Sequence, residues 1–94
     1  MVYLLVKHKV KDFSKWKPGF DEYSSKRKET GSKGGMLFRT SDDPNEVEIL
    51  LEWDTLEDAR KFNESKELEE KMKELGVIGN LDISVLDKVE DLRF

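Results

Sequence analysis

Apolar and polar residues alternate from Val2 to Val10, with Val2, Leu4, Val6, His8 and Val10 on one face and Tyr3, Leu5, Lys7 and Lys9 on the other. This period of two predicts a strand, with His8 on its more apolar side. Asp12 opens a turn, and Pro18 marks the expected start of a helix, because proline suits a first turn and is costly further in. Phe20, Tyr23, Ser24 and Arg27 then recur at i, i+3, i+4 and i+7, a helical stripe in which Ser24 permits close approach. Gly31, Gly34 and Gly35 in "GSKGG" predict a helix stop followed by a flexible turn. Residues 36–40 and 47–53 read as a hairpin joined by "SDDPNE", whose Pro44 and Asn45 suit a tight turn. In its second strand Val47, Ile49, Leu51 and Trp53 share one face, opposite Glu46, Glu48, Leu50 and Glu52. Thr55 with Asp58 resembles a capping box and introduces Leu56, Ala59 and Phe62 at helical spacing. Ser65 caps a second run carrying Leu68, Met72 and Leu75, which Gly76 ends. Residues 81–89 alternate again, with Leu81, Ile83 and Val85 together.

The resulting order, βαββαβ, predicts a ferredoxin-like α+β fold: a four-stranded antiparallel sheet with both helices on one face, residues 1–94 forming one domain. The connection rules put the first and third strands side by side at the centre, where we expect them to run parallel. Residues 8–10 and 51–53 would then be neighbours at the edge where both helices start, the edge at which open α/β sheets hold ligands. The sheet's second face would carry Leu5, Leu37, Leu50 and Leu86. That is apolar enough to expect a second subunit over it.

Composition narrows the function classes. A chain of 94 residues buries only about 60 to 65% of its unfolded surface, so a partner would help it. With 17 Lys plus Arg against 21 Asp plus Glu the net charge is -4, which disfavours gripping nucleic acid or an anionic membrane. No apolar run approaches membrane-spanning length and no leader pattern is visible, which predicts a cytoplasmic protein. With no cysteine in the chain, neither disulfides nor thiolate chemistry can contribute.

Four stretches, "HKVKDFSKW", "DDPNEVEILLEWDTLEDARKF", "SKEL" and "MKELGVIG", together resemble the antibiotic biosynthesis monooxygenase-like proteins of the dimeric α+β barrel superfamily, in particular the short stand-alone cyclase-like or monooxygenase-like members. The resemblance spans nearly the whole chain and is most specific at His8, Asp12 and Trp16 and at the step Glu52, Trp53, Asp54. It implies two ferredoxin-like sheets packed face to face as a homodimer, with a pocket between sheet and helices. For enzymes of this type it implies cofactor-independent oxygenation of aromatic substrates, without metal or flavin, or a cyclase-type proton transfer. Placed against haem-degrading members, Phe62 stands where their tryptophan sits and Met72 where their haem-binding histidine sits, and both departures argue against haem degradation.

His8 is the chain's only histidine. With Asp12 as its sole nearby carboxylate in sequence it makes a poor metal site, and no metal or other cofactor is expected. Its ordinary pKa suits acid–base catalysis with Asp12 as orienting partner, while Asp12 suits a helix N-cap equally well. A histidine on an apolar strand face also serves as an ordinary hydrogen-bonded core residue. Trp16, Tyr23 and Trp53 are the candidate substrate-binding residues, with Phe20 and Phe62 as further aromatic wall or as core. Arg39, on the opposite parity from Met36 and Phe38, is expected to face solvent or a partner. "GSKGG" lacks the phosphate-loop spacing, "DDPNE" lacks the glycine and terminal Glu of a calcium loop, and no RNA-recognition signature is present. The expectation is therefore a homodimer holding a small aromatic or hydrophobic ligand near His8, Trp16 and Trp53, with His8 as base if it is an enzyme. The alternative is a non-catalytic ligand-binding or assembly module of the same fold.

Overall fold

In the computed structural model, which describes residues 2–94 apart from the side chain of Asn80, β1 (Val2–Val10) leads into α1 (Phe13–Glu22) and α2 (Ser24–Glu29). The hairpin β2 (Ser32–Arg39) and β3 (Glu46–Trp53) follows, then α3 (Leu56–Asn63), α4 (Lys66–Glu74) and β4 (Val77–Asp87). Each helical segment is thus broken in two. The first breaks at Tyr23 and the second at Ser65, whose hydroxyl accepts the Leu68 N–H at 3.4 Å and recaps the chain.

α1 begins at Phe13, well before Pro18, which lies inside it. The reason is capping: the Asp12 carboxylate accepts the Ser14 N–H at 3.0 Å and Asn45 Oδ1 accepts the Phe13 N–H at 2.9 Å. Satisfying two orphan donors offsets the one backbone bond that Pro18 cannot make. β2 also starts earlier than the hydrophobic pattern implied, taking in most of "GSKGG". The register shifts between Ser32 and Gly34, and Gly34 at φ 125 supplies the left-handed residue of that irregularity. At Gly35 a Cβ would overlap the Leu50 carbonyl oxygen, so the close approach of β2 to β3 needs glycine there. β4 likewise begins at Val77, immediately after Gly76 at φ 87 turns the chain.

The strands lie in the order β2-β3-β1-β4, and every pair is antiparallel. This is the ferredoxin-like arrangement, with one correction: β1 and β3 are neighbours but run in opposite directions, pairing Val2 with Trp53 and His8 with Val47. The helical crossover returns the chain so that β2 runs as β1 does, and the tight turn at residues 40–46 then reverses it into β3. His8 and Trp53 therefore lie toward opposite ends of the central pair.

The helix-facing side of the sheet carries the core: Leu4, Val10, Val47, Ile49, Leu51 and Trp53, covered by Trp16, Ala59 and Phe62. Leu37, expected on the far face, pairs with Ile49 and joins this side, and Arg39, expected outward, pairs with Val47 and stacks its guanidinium 4.5 Å from the centre of the Phe13 ring. Met36 and Phe38 take the far face instead, 58% and 49% exposed beside Tyr3, Leu5, Leu50 and Leu86.

Candidate functional site

Between the sheet and the helices lies a cavity of about 70 Å³ with an almost wholly apolar wall. β1 supplies Leu4, Val6 and His8; α1 and the break after it supply Trp16, Phe20 and Tyr23; α3 and α4 close the far side with Phe62, Asn63, Leu68, Lys71 and Met72. The strand period that buries Leu4 and Val10 carries His8 inward with them, to 5% exposure. Its ring meets Trp16 edge-on at 5.7 Å, and Trp16 stacks on Phe20 at 4.8 Å, so one aromatic row runs along the wall from β1 into α1.

His8 Nδ1 is buried and finds no hydrogen-bond partner among the described residues. Burial pushes the imidazole pKa below its ordinary 6.5, the Lys9 backbone partly opposing this, so the ring is neutral at neutral pH and able to accept a proton. Asp12 does not orient it, since its carboxylate is engaged in capping α1. Tyr23 has its pKa raised, by burial first and then by Glu67, which keeps its phenol a proton donor. Among the described residues no group of three or more His, Cys, Asp or Glu side chains is placed to hold a metal ion, and no helix is long and apolar enough to cross a membrane.

Of the residues singled out from the sequence, the fold brings His8, Trp16 and Tyr23 to one cavity. Trp53 stands one layer behind them: it is fully buried and packs 5.0 Å from Phe62, which itself lies 6.0 Å from Tyr23. Its indole N–H is also without an acceptor among the described residues. The wall's two permanently charged residues, Arg27 and Lys71, were not among the candidates read from the sequence. Arg27 had a visible signal, a cation on the otherwise apolar stripe of Phe20 and Tyr23. Lys71 had none, because it sits in a run of alternating charges.

A second, open cleft of about 580 Å³ lies beside the first, between α2 and the edge strand β2. The two spaces share Phe20, Arg27, Ile49 and Leu51. Phe20 and Arg27 form the partition: the guanidinium lies 4.0 Å from the Phe20 ring centre and its Nη2 donates to the Phe20 carbonyl at 3.0 Å.

No family model matches the chain, and no curated protein matches it in sequence. Solved structures do match its backbone over nearly the full length. SnoaB, a cofactor-independent oxygenase from Streptomyces nogalater, superposes with a TM-score of 0.79 at 13% identity, over 97% of this chain and 95% of that one. An antibiotic biosynthesis monooxygenase gives 0.76 at 14% identity, over 96% and 100%. A conserved protein from Methanosarcina mazei Go1 gives 0.65 at 17%, over 94% and 92%. At these identities the likeness is one of fold: the chain has the ferredoxin-like α+β architecture of the antibiotic biosynthesis monooxygenase-like proteins.

Proposed function

We propose that this protein binds a small aromatic or hydrophobic molecule between its sheet and helices, as a homodimer, and that His8 acts there as a base. The observation that carries the reading is a neutral, buried imidazole at the wall of an aromatic cavity, whose Nδ1 has no hydrogen-bond partner among the described residues. An unpartnered buried nitrogen costs about 1–3 kcal/mol, a penalty that a ligand's acidic hydrogen would relieve. The cavity's 70 Å³ is less than half the roughly 150 Å³ that accommodates benzene, so a ring enters only as the Phe20–Arg27 partition yields.

The chemistry that follows is proton abstraction. Nδ1 takes a proton from an acidic C–H or O–H of the ligand, leaving a delocalised anion flanked by Trp16 and Tyr23, whose O–H can donate to it. Such an anion is the reactive form for cyclisation, and for direct reaction with dioxygen in a cofactor-independent oxygenase, the activity for which the similar SnoaB is described. No metal or organic cofactor enters this scheme. Anthrone, with one acidic methylene between two rings, is a suitable probe. The protein should accelerate deuterium uptake at that carbon, and His8→Gln should abolish the acceleration while leaving the fold, read by circular dichroism, in place. Unchanged acceleration in a folded His8→Gln protein would exclude His8 as the base, and no acceleration by the natural protein would assign the site to binding alone, the reading of a non-catalytic module.

A further inference from the structure

The chain as a whole is acidic, yet every permanently charged side chain on the walls of both spaces is basic: Arg27 and Lys71 around the inner cavity, Arg27, Lys28 and Lys33 around the outer cleft. Lys33 is neutralised by Asp54 at 3.2 Å. Arg27, Lys28 and Lys71 form no ion pair among the described residues. The carboxylate that influences Arg27 most, Asp21, is itself held by Lys17 Nζ at 2.6 and 2.7 Å. Arg27 is half-buried, and of its five N–H donors only one on Nη2 has a protein acceptor among the described residues, the Phe20 carbonyl. A planar cation is therefore held on an aromatic ring at the junction of an apolar cavity and an open cleft, with most of its N–H donors not engaged by protein acceptors among the described residues.

We propose that the cavity and the cleft are two parts of one site for an apolar ring compound bearing a carboxylate, which Arg27 recognises. This rests on the binding reading above and adds the ligand's charge and orientation. The ring moves in beside Trp16 and His8, and the carboxylate stays at the partition, where the guanidinium fork can take it bidentately. Lys28, on the cleft wall, lies on the side from which the anion would arrive. The substrate class is accordingly an aromatic or alicyclic carboxylic acid, its acid group kept at the cleft and its reacting carbon delivered toward His8. A neutral ring of the same shape would leave Arg27 unpaired and bind less well.

Naphthoate and its neutral amide, naphthamide, provide the test by isothermal titration calorimetry on the full chain. Naphthoate should bind roughly 10- to 100-fold more tightly than naphthamide, the range of a charge-assisted hydrogen-bonded pair. Arg27→Met, which keeps an apolar stem over Phe20, should abolish the preference, so that the variant binds naphthoate and naphthamide with equal affinity. Arg27→Lys should retain part of the preference, and it serves as the charged comparison if the Met variant does not fold. Equal binding of the two probes by the natural protein, or a preference that survives in Arg27→Met, overturns the role of Arg27 but leaves the cavity reading standing. Failure of both probes to bind overturns the cavity reading and this inference together.

Discussion

His8 carries a consequence that does not depend on any ligand. Its pKa in the folded protein lies below the ordinary 6.5 expected once the chain unfolds, so the unfolded state binds more protons as pH falls. Stability is then fully present above the unfolded value and declines as pH is lowered through about 6.5 toward the folded value. Urea unfolding should show this decline in the natural protein, and the gap between it and His8→Gln should narrow in the same window. A gap independent of pH would mean that the imidazole is not held neutral by burial. The inward placement of His8 is legible in the sequence, because a period of two needs only one secure core neighbour to orient the whole strand. The status of its Nδ1 is not legible, since it depends on Asp12 being committed elsewhere. A carboxylate four residues from a histidine reads as a partner, whereas here the orphan N–H of Ser14 takes it.

The elements show the same division. Thr55 was readable as an N-cap and accepts the Asp58 N–H at 3.1 Å, as the spacing of Thr and Asp requires. β2 was readable only in its second half, because "SKGG" has no side-chain pattern to declare a strand; Gly35 belongs to the sheet on account of the Leu50 carbonyl pressed against it. Met36, Leu37 and Phe38 are apolar on both faces and do not declare which parity is inward, which is why Leu37 and Arg39 were expected outward. The far face of the sheet is now better defined: Leu5 and Leu50 pair at its centre, with Met36 beside Leu50 and Leu86 beside Tyr3. Fully burying each of the leucines would contribute roughly 1.5–3 kcal/mol, which is the stabilisation a second copy laid across this face would supply to the proposed homodimer. Light scattering at micromolar concentration should give twice the mass of the 11.0 kDa chain, and Leu50→Glu should halve it with the fold retained. A natural protein of monomer mass would exclude the dimer.

At the scale of the whole molecule, element order was sufficient to reach the fold, since βαββαβ with short connections admits few arrangements. Strand direction was not obtained, and that single error misplaced Trp53. Parallel central strands would have delivered Trp53 to the corner of His8; antiparallel strands leave it behind Phe62, while the helical aromatics Trp16 and Tyr23 reach the cavity from the other side. The central claim, a ligand space walled by His8 and Trp16, can be read directly because the chain has one histidine and two tryptophans. The deciding measurement is a naphthoate titration followed by NMR at the His8 ring and the two indole N–H groups. The expected result is saturable shifts at His8 and Trp16, with the Trp53 indole N–H nearly still behind Phe62. Shifts confined to Trp53, or none at His8 and Trp16 at millimolar naphthoate, would contradict it.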